Sequence, residues 1–175
     1  GAEATEAAVR IARRYTGRHK ILSRYRSYHG GTTTALSVTG DPRRWAVDGA
    51  VTGFIKMMDP FPFNFGWGAD EPEATRRCLD VLHDQILCEG PHTIAAIMLE
   101  PITGANGWLK PTTAFMQGVR ALCDKYGILM VSDEVMTGFG RTGHMFGFQK
   151  FRRCHARHDH LCQGRVVCVS PPQRR

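Results

Sequence analysis

Two acidic residues each follow directly on an apolar run of the sequence. Glu100 comes after the run 93–99, and Asp133 comes after the run 128–132. Continuous apolar runs of this length are typical of strands in a parallel sheet, and open α/β sheets bind ligands beyond the carboxyl ends of such strands. Two carboxylates that meet at this edge need a cation between them. The sequence therefore predicts a ligand site at this edge, although an aspartate at a strand end can also simply cap the next segment.

The last part of the sequence holds a second set of reactive side chains. Its three cysteines and three histidines suggest a tetrahedral zinc site; they are Cys154, His155, His158, His160, Cys162 and Cys168. The cysteines are separated by eight and six residues, which matches none of the paired ligand spacings of zinc sites. We therefore predict no metal site in the tail.

The formal charge of +7 raises the possibility of a nucleic-acid partner. Residues 152–175 hold six arginines and a single acid, Asp159, so most of the excess lies in the tail. A surface that follows a phosphate backbone needs lysines and arginines clustered on a folded face. The charge pattern therefore predicts no nucleic-acid partner, and the lack of any apolar run of eighteen residues predicts no membrane span.

Helices and strands alternate around the two acids. The spacing of apolar residues predicts helices over 3–15, over a short segment ending near Gly40, over 73–87 and over 112–126. Continuous apolar runs predict strands over 19–25, 93–99 and 128–132. Four prolines and four glycines predict a mostly irregular connection over 41–72. The strand–helix–strand order that ends at Asp133 is a βαβ unit, so the expected fold class is α/β with a mainly parallel sheet and flanking helices.

Four motifs, in order along residues 1–151, resemble the class III aminotransferases, which depend on pyridoxal 5'-phosphate (PLP). The segment 133–143 matches the family's Asp-Glu-Val signature with its following glycines, and 100–107 matches the strand end and loop before it. The segment 28–32 matches an aromatic-His-Gly motif, and 1–7 matches a phosphate-binding turn. The resemblance implies the middle part of the large domain of a fold-type-I transferase, with a non-homologous tail over 152–175.

The resemblance also implies roles in holding the cofactor. The amides of Gly1 and Ala2, at a helix N-terminus, would bind the PLP phosphate, since free N–H groups and the helix dipole favour an anion. Tyr28 would stack on the pyridine ring, and His29 would support the same pocket. For Gly1 and Ala2 the alternative is an ordinary helix start, for Tyr28 a core tyrosine, and for His29 a turn residue.

Asp133 has the central role that the resemblance implies. A carboxylate next to the pyridine nitrogen keeps that nitrogen protonated, because an opposite charge favours the charged form, and the ring then withdraws electrons more strongly. Val135 would contact the ring face opposite Tyr28. Glu100 would lie beside Asp133 and orient it, and its alternative is a strand-end cap.

The catalytic Schiff-base lysine of the family is missing at its expected place, near Gln163, about thirty positions after Asp133. None of the five lysines of the chain qualifies: Lys20, Lys56, Lys110, Lys125 and Lys150. A degenerate choice of codons from residue 152 onward, read after removal of one base, encodes Phe-Ala-Lys-Gly with the lysine codon overlapping those of Gln163 and Gly164. We therefore expect the tail to be out of frame.

The function implied by the resemblance is transamination, from an ω-amino acid or amine to a keto acid such as pyruvate. The segments 16–30 and 39–45 are most similar to the taurine and β-alanine type of enzyme, and the family forms homodimers. One alternative is a remnant that binds PLP without catalysis or misfolds, and a second is a tail that binds metal or nucleic acid. Well-separated cysteines in residues 1–151 suit buried thiols, which favours the cytoplasm or mitochondria.

Overall fold

A single sheet forms the centre of the fold in the computed structural model, which describes residues 1–61, 66, 70–105, 107–151 and, for the backbone alone, 160–161 and 167–170. Its strands are β1 Lys20–Arg24, β2 Phe54–Met57, β3 Ile94–Leu99, β4 Leu129–Asp133, β5 His160–Leu161 and β6 Val167–Ser170. Their order across the sheet is β2-β1-β3-β4-β6-β5. The first four strands pair in parallel, and β6 pairs antiparallel with β4 and with β5. The expected α/β class with a mainly parallel sheet is confirmed.

Within the described residues, four α-helices accompany the sheet: α1 Ala2–Thr16, α2 Thr33–Val38, α3 Glu71–Glu89 and α4 Thr113–Tyr126. A side-chain cap and two glycines define where some of these helices begin and end. Thr112 accepts a hydrogen bond from the amide of Phe115 at the start of α4, and Gly17 and Gly127 end α1 and α4 in the left-handed conformation that favours glycine. Short 3₁₀ helices lie at Pro42–Ala46, Pro91–Thr93 and Gly147–Lys150.

Each face of the sheet buries a separate apolar cluster. The face that carries Ile21, Met98 and Val131 packs against the alanine-rich side of α1. The opposite face packs against α3 and α4 through a larger cluster that includes Ile97, Leu99 and Phe115. Both faces are covered, and the central strand β3 is apolar throughout. A fully buried Leu99 contributes about 2–3 kcal/mol by leaving water. The charged ends of β3 and β4 are thereby held on a rigid support.

The described part of the segment 41–72 is mostly irregular, as expected, but it also holds short regular elements. It contains the 3₁₀ helix Pro42–Ala46 and the edge strand β2, and Asp70 begins α3 by accepting a hydrogen bond from the amide of Glu73. The four-residue strand β2 has no alternation of its own and forms because β1 offers a parallel partner. The two short strands β5 and β6 were also not expected.

Residues 1–151 hold three cysteines, Cys78, Cys88 and Cys123. Cys78 and Cys123 are buried, as expected, whereas Cys88 is exposed, so the expectation of buried thiols is wrong for Cys88. Burial raises the pKa of Cys78 to about 12, which makes its thiol unreactive. No helix in the described residues has the length and apolar character that a membrane crossing requires.

Candidate active site

A buried pair of side chains, His29 and Asp133, lies at the carboxyl end of β4. Nδ1 of His29 is 2.7 Å from Oδ2 of Asp133, and the two residues are 3% and 4% exposed. A carboxylate only accepts hydrogen bonds, so His29 donates from Nδ1. The other ring nitrogen, Nε2, is buried and has no partner among the described residues. Sequence reasoning placed both residues in one site but did not pair them.

The backbone of Asp133 is fixed by strand pairing. Ser132 pairs with Leu99 on the adjacent parallel strand. Asp133 and Glu100 are the next residues of the two strands, so they lie side by side. Oδ1 of Asp133 accepts a hydrogen bond of 3.0 Å from the amide of Val135. Asp133 therefore makes a local turn with one carboxylate oxygen, as the capping interpretation expected, and bonds His29 with the other. Its role beside the pyridine nitrogen stays a prediction.

The N-terminus of α1 lies against the same segment of chain. A Cβ placed on Gly30 would come within 2.7 Å of Cα of Ala2, which only a glycine at this position, with φ of +132°, avoids. The hydroxyl of Thr5 donates to the carbonyl of His29 over 2.7 Å. The amides of Ala4 and Thr5 bond the carbonyl of Gly1, while the amides of the first helical positions have no acceptor within the helix. The first turn of α1 can therefore offer donors to an anion near His29.

Glu100 is buried at the end of β3 and holds two backbone segments. Its carboxylate accepts hydrogen bonds from the amides of Tyr28, at 3.2 Å, and Gly104, at 3.1 Å. These bonds fix the backbone of Tyr28 and the loop after β3. Glu100 was expected to orient Asp133, but the described side chain that bonds Asp133 is His29. The half-buried ring of Tyr28 packs against the guanidinium of Arg43, 3.9 Å from the ring centroid.

A fully buried arginine, Arg24, bonds the backbone of Glu100. Nη2 of Arg24 donates to the backbone carbonyl of Glu100 over 2.6 Å. Burial lowers the pKa of Arg24, and the carboxylates of Glu100 and Asp59 act in the opposite direction. Removing Arg24 would take away positive charge beside the buried Glu100, whereas Asp59 would keep Arg26, whose Nε is 3.9 Å from its Oδ2.

Glu134 is a site residue that sequence reasoning missed. Its side chain is fully buried, and it accepts from the hydroxyl of Ser132 and the amide of Phe148 at one oxygen, 2.8 and 2.9 Å away. The other oxygen accepts from the amide of Gly147, at 2.7 Å, and from the hydroxyl of Thr137. Glu134 thus fixes the loop after Asp133. Its backbone donors lie more than ten residues away, and no local pattern indicates them.

None of the described contacts brings a lysine to Asp133. Lys20 pairs with Glu89 at the opposite end of the sheet, and Lys56, on the edge strand β2, donates to Ser23, Ser37 and Val38. Lys110 lies on a loop, Lys125 near the end of α4, and Lys150 at the end of the 3₁₀ helix Gly147–Lys150. Gln163, where the lysine was expected, and most of the tail are outside the described residues. No group of described His, Cys, Asp or Glu residues has a metal-binding arrangement.

Comparison with known proteins identifies the class to which this fold and site belong. The sequence model of the class III aminotransferases matches residues 1–167. The hypotaurine/taurine–pyruvate aminotransferase of Paracoccus denitrificans is 37% identical over 158 residues, which covers 86% of this chain and 34% of that protein. The taurine–pyruvate aminotransferase of Rhodobacter capsulatus is 36% identical, with the same coverage. The chain spans about a third of the length of these curated relatives.

Solved structures give the same result. Taurine:2-oxoglutarate aminotransferase from Bifidobacterium kashiwanohense, in complex with PLP and glutamate, has a TM-score of 0.82 and 50% identity, and covers 87% of this chain and 35% of that one. An (S)-enantioselective omega-transaminase from Thermomicrobium roseum has a TM-score of 0.79 and 43% identity, and covers 86% of this chain and 35% of that one. The fold is that of a fold-type-I PLP-dependent transferase. The chain belongs to the class III aminotransferase family, whose cofactor is PLP.

The described residues fit this cofactor. Free amides at the start of α1 suit a phosphate, and each oxygen of Asp133 has one hydrogen bond and room for another. Nε2 of His29 is a buried polar atom without a partner among the described residues, which is typical of a site that a ligand or water completes. All seven residues that the sequence assigned to the cofactor lie on segments that converge at the ends of β3 and β4.

Proposed function

We propose that this chain binds PLP at the ends of β3 and β4, and that the complete protein uses it for transamination. The observation that carries the proposal is the buried His29–Asp133 pair next to the first turn of α1. An acid at a strand end, an adjacent anion-binding helix start and a neighbouring aromatic residue provide what a phosphorylated pyridine ring requires.

Different residues of the chain would bind different parts of the cofactor. The amides of Gly1 and Ala2 would bind the phosphate, and the carboxylate of Asp133 would hold a proton on the ring nitrogen. His29 would keep Asp133 in orientation through Nδ1, and Tyr28 and Val135 would pack on the two faces of the ring. PLP, when bound, supplies an electron-withdrawing ring that stabilises negative charge on the substrate carbon.

The substrates that we propose are an ω-amino acid or amine as donor and a keto acid as acceptor. Two curated relatives are named for taurine or hypotaurine and pyruvate, and one solved relative is named for taurine and 2-oxoglutarate. These names support a donor whose amino group lies at the end of a short chain.

The chain as written would bind the cofactor without turning over substrate, because none of its five lysines is placed to bond it. A remnant that misfolds is the alternative, and cooperative unfolding of the purified chain would contradict it. Binding of zinc or DNA by the tail is a further alternative. A zinc stoichiometry near zero, or DNA binding that survives removal of residues 152–175, would count against it.

Titration with pyridoxamine 5'-phosphate tests the binding proposal. This form of the cofactor has no aldehyde, so it cannot react with surface lysines, and its fluorescence reports noncovalent binding to the full chain. Asp133→Asn should weaken binding about tenfold or more, because a charge-assisted hydrogen bond is lost. Asp80→Asn, at a surface pair with Arg76, is the matched control and should bind like the unchanged chain.

Two outcomes would contradict the proposal. If the unchanged chain, shown to be folded by its circular dichroism, does not bind pyridoxamine 5'-phosphate, the site is not a cofactor site. If Asp133→Asn and Asp80→Asn bind equally well, Asp133 has no role in binding.

We also propose that the complete protein is a homodimer. Large apolar side chains are exposed on the loops after β3 and β4: Trp108, Met136, Phe139 and Met145. Trp108 and Phe139 have φ of +57° and +58°, an uncommon conformation for such residues. Exposed apolar side chains concentrated next to a site are typical of a surface that a partner covers. Sedimentation should show self-association that Phe139→Ser weakens and that Trp45→Ser, at an exposed tryptophan outside these two loops, does not.

A further inference from the structure

The aromatic ring of Tyr28 is stacked by an arginine that belongs to a different segment of the chain. The guanidinium carbon of Arg43 lies 3.9 Å from the ring centroid, a close cation–π contact. Arg43 lies in the 3₁₀ helix Pro42–Ala46, and its side chain is 53% exposed. Neither the motifs of the sequence nor the proposed binding role of Tyr28 accounts for this contact.

Arg43 is itself held rigidly by Asp41. Nε of Arg43 donates to Oδ2 of Asp41 over 2.8 Å, and Nη2 bonds the same oxygen. Asp41 is 4% exposed, and its Oδ1 accepts from the amide of Arg43 over 2.9 Å. These bonds raise the pKa of Arg43. A planar guanidinium with two nitrogens bonded to a carboxylate has little rotational freedom.

The turn that carries Asp41 is tightly joined to the end of β1. The amides of Gly40 and Asp41 both donate to the carbonyl of Ser27, and a Cβ on Gly40 would lie 2.0 Å from the carbonyl oxygen of Arg24. Arg43 therefore reaches Tyr28 from a fixed backbone. Glu100 fixes the backbone of Tyr28 from the other side.

We infer that Arg43 is a positioning residue of the cofactor site, which fixes the Tyr28 ring so that one face stays available for a planar ligand. The inference rests on the proposed function, because the planar ligand is the cofactor. A ring that is ordered before binding loses less conformational entropy when it packs on a ligand. Arg43 is not itself a receptor for a substrate anion, since two of its nitrogens and most of its charge are engaged by Asp41.

Arg43→Ala, Arg43→Lys and Arg44→Ala, each in the full chain, test this role with pyridoxamine 5'-phosphate as the probe. Arg44 is the matched control because it pairs with Asp48 and lies 5.9 Å from a different ring, that of Tyr25. Arg43→Ala should raise the dissociation constant about fivefold, the equivalent of about 1 kcal/mol. Arg43→Lys should fall between Arg43→Ala and the unchanged chain, and Arg44→Ala should match the unchanged chain.

The near-ultraviolet circular dichroism of the bound probe separates positioning from a merely structural effect. At saturation, a change in affinity alone leaves this signal unaltered, whereas a Tyr28 ring that is no longer fixed should reduce its amplitude in Arg43→Ala. Equal affinity and equal amplitude in Arg43→Ala and the unchanged chain would overturn the inference and leave the proposed function standing. Equal losses in Arg43→Ala and Arg44→Ala would also overturn it. Failure of the unchanged chain to bind would refute the proposed function and the inference together.

Discussion

Glu134→Gln tests whether one buried carboxylate organises the loop that follows Asp133. The substitution keeps the size of the side chain and replaces one acceptor oxygen by an amide donor. Ser132 and Thr137 can respond by turning their hydroxyls, since a hydroxyl both donates and accepts. The amides of Gly147 and Phe148 cannot, and they bond different oxygens of Glu134. In either orientation of the glutamine, one of these two amides faces a second donor.

The expected loss of stability follows from this arrangement. A buried amide without a partner costs about 1–3 kcal/mol, and the remaining bonds weaken because they are no longer assisted by charge. Relief of the desolvation cost of a buried carboxylate offsets part of this loss. We expect the free energy of unfolding to fall by about 2 kcal/mol. Urea denaturation measures it, and Glu71→Gln, at an exposed position, should change it by less than about 0.5 kcal/mol.

Amide hydrogen exchange gives the sharper readout. In Glu134→Gln the amide of either Gly147 or Phe148 should lose its protection, while amides of β3 lose only what the global change in stability predicts. If both loop amides stay protected and the free energy of unfolding is unchanged, the carboxylate does not organise the loop. The buried rings of Phe146, Phe148 and Phe151 would then be sufficient to hold it.

Three further perturbations have defined outcomes. Gly30→Ala should destabilise the chain and weaken binding of pyridoxamine 5'-phosphate, because its Cβ would overlap Ala2, whereas Gly31→Ala, with 3.7 Å to the nearest atom, should do neither. Burial lowers the pKa of Lys56 from 10.5 to about 7, so between pH 7 and 9 the unfolded chain binds a proton that the folded chain does not, and the free energy of unfolding should rise with pH. Lys56→Met should remove this rise of the free energy of unfolding with pH, and Lys150→Met, at an exposed lysine, should not. If the pH dependence is the same in Lys56→Met, the three acceptors of Lys56 keep its ammonium charged. Removal of one base at codon 152 should restore Phe-Ala-Lys-Gly and yield a chain that borohydride reduction links covalently to PLP, detected by mass spectrometry; a corrected chain that gains no such adduct would contradict the frameshift.

The apolar runs and helical spacings of the sequence were sufficient to predict the central βαβ unit. The helix predicted over 112–126 is observed at Thr113–Tyr126, and the strands before Glu100 and Asp133 lie within one residue of their expected ends. These elements are long or fully buried, so each carries its own pattern. The strand β2 has four residues at an edge and depends on pairing with β1, and such a tertiary requirement leaves no local signal.

The candidate site was likewise predictable only where its features are local in sequence. Acids at strand ends, a histidine before two glycines and a helix start are visible in the sequence, because each is defined by its immediate neighbours. The pairs that hold the site together join residues distant in sequence, as His29 with Asp133, Arg24 with Glu100 and Glu134 with Gly147 show. Side-chain bonds of this kind depend on which strands are adjacent, and strand order is fixed only by the complete fold.

Cofactor binding and covalent capture should be separable in this chain. The groups expected to bind PLP lie within residues 1–135 and are held by contacts among themselves, namely His29 with Asp133, Tyr28 with Glu100 and Val135 with Asp133. A lysine near position 163 would add a covalent bond but is not needed for any of these contacts. These side-chain contacts do not use the tail, which meets this region through the backbone pairing of Val167 in β6 with Asp133. Noncovalent affinity should then be similar in the chain as written and in a frame-corrected chain whose lysine is replaced by alanine, and a large difference between the two would show that the tail shapes the site.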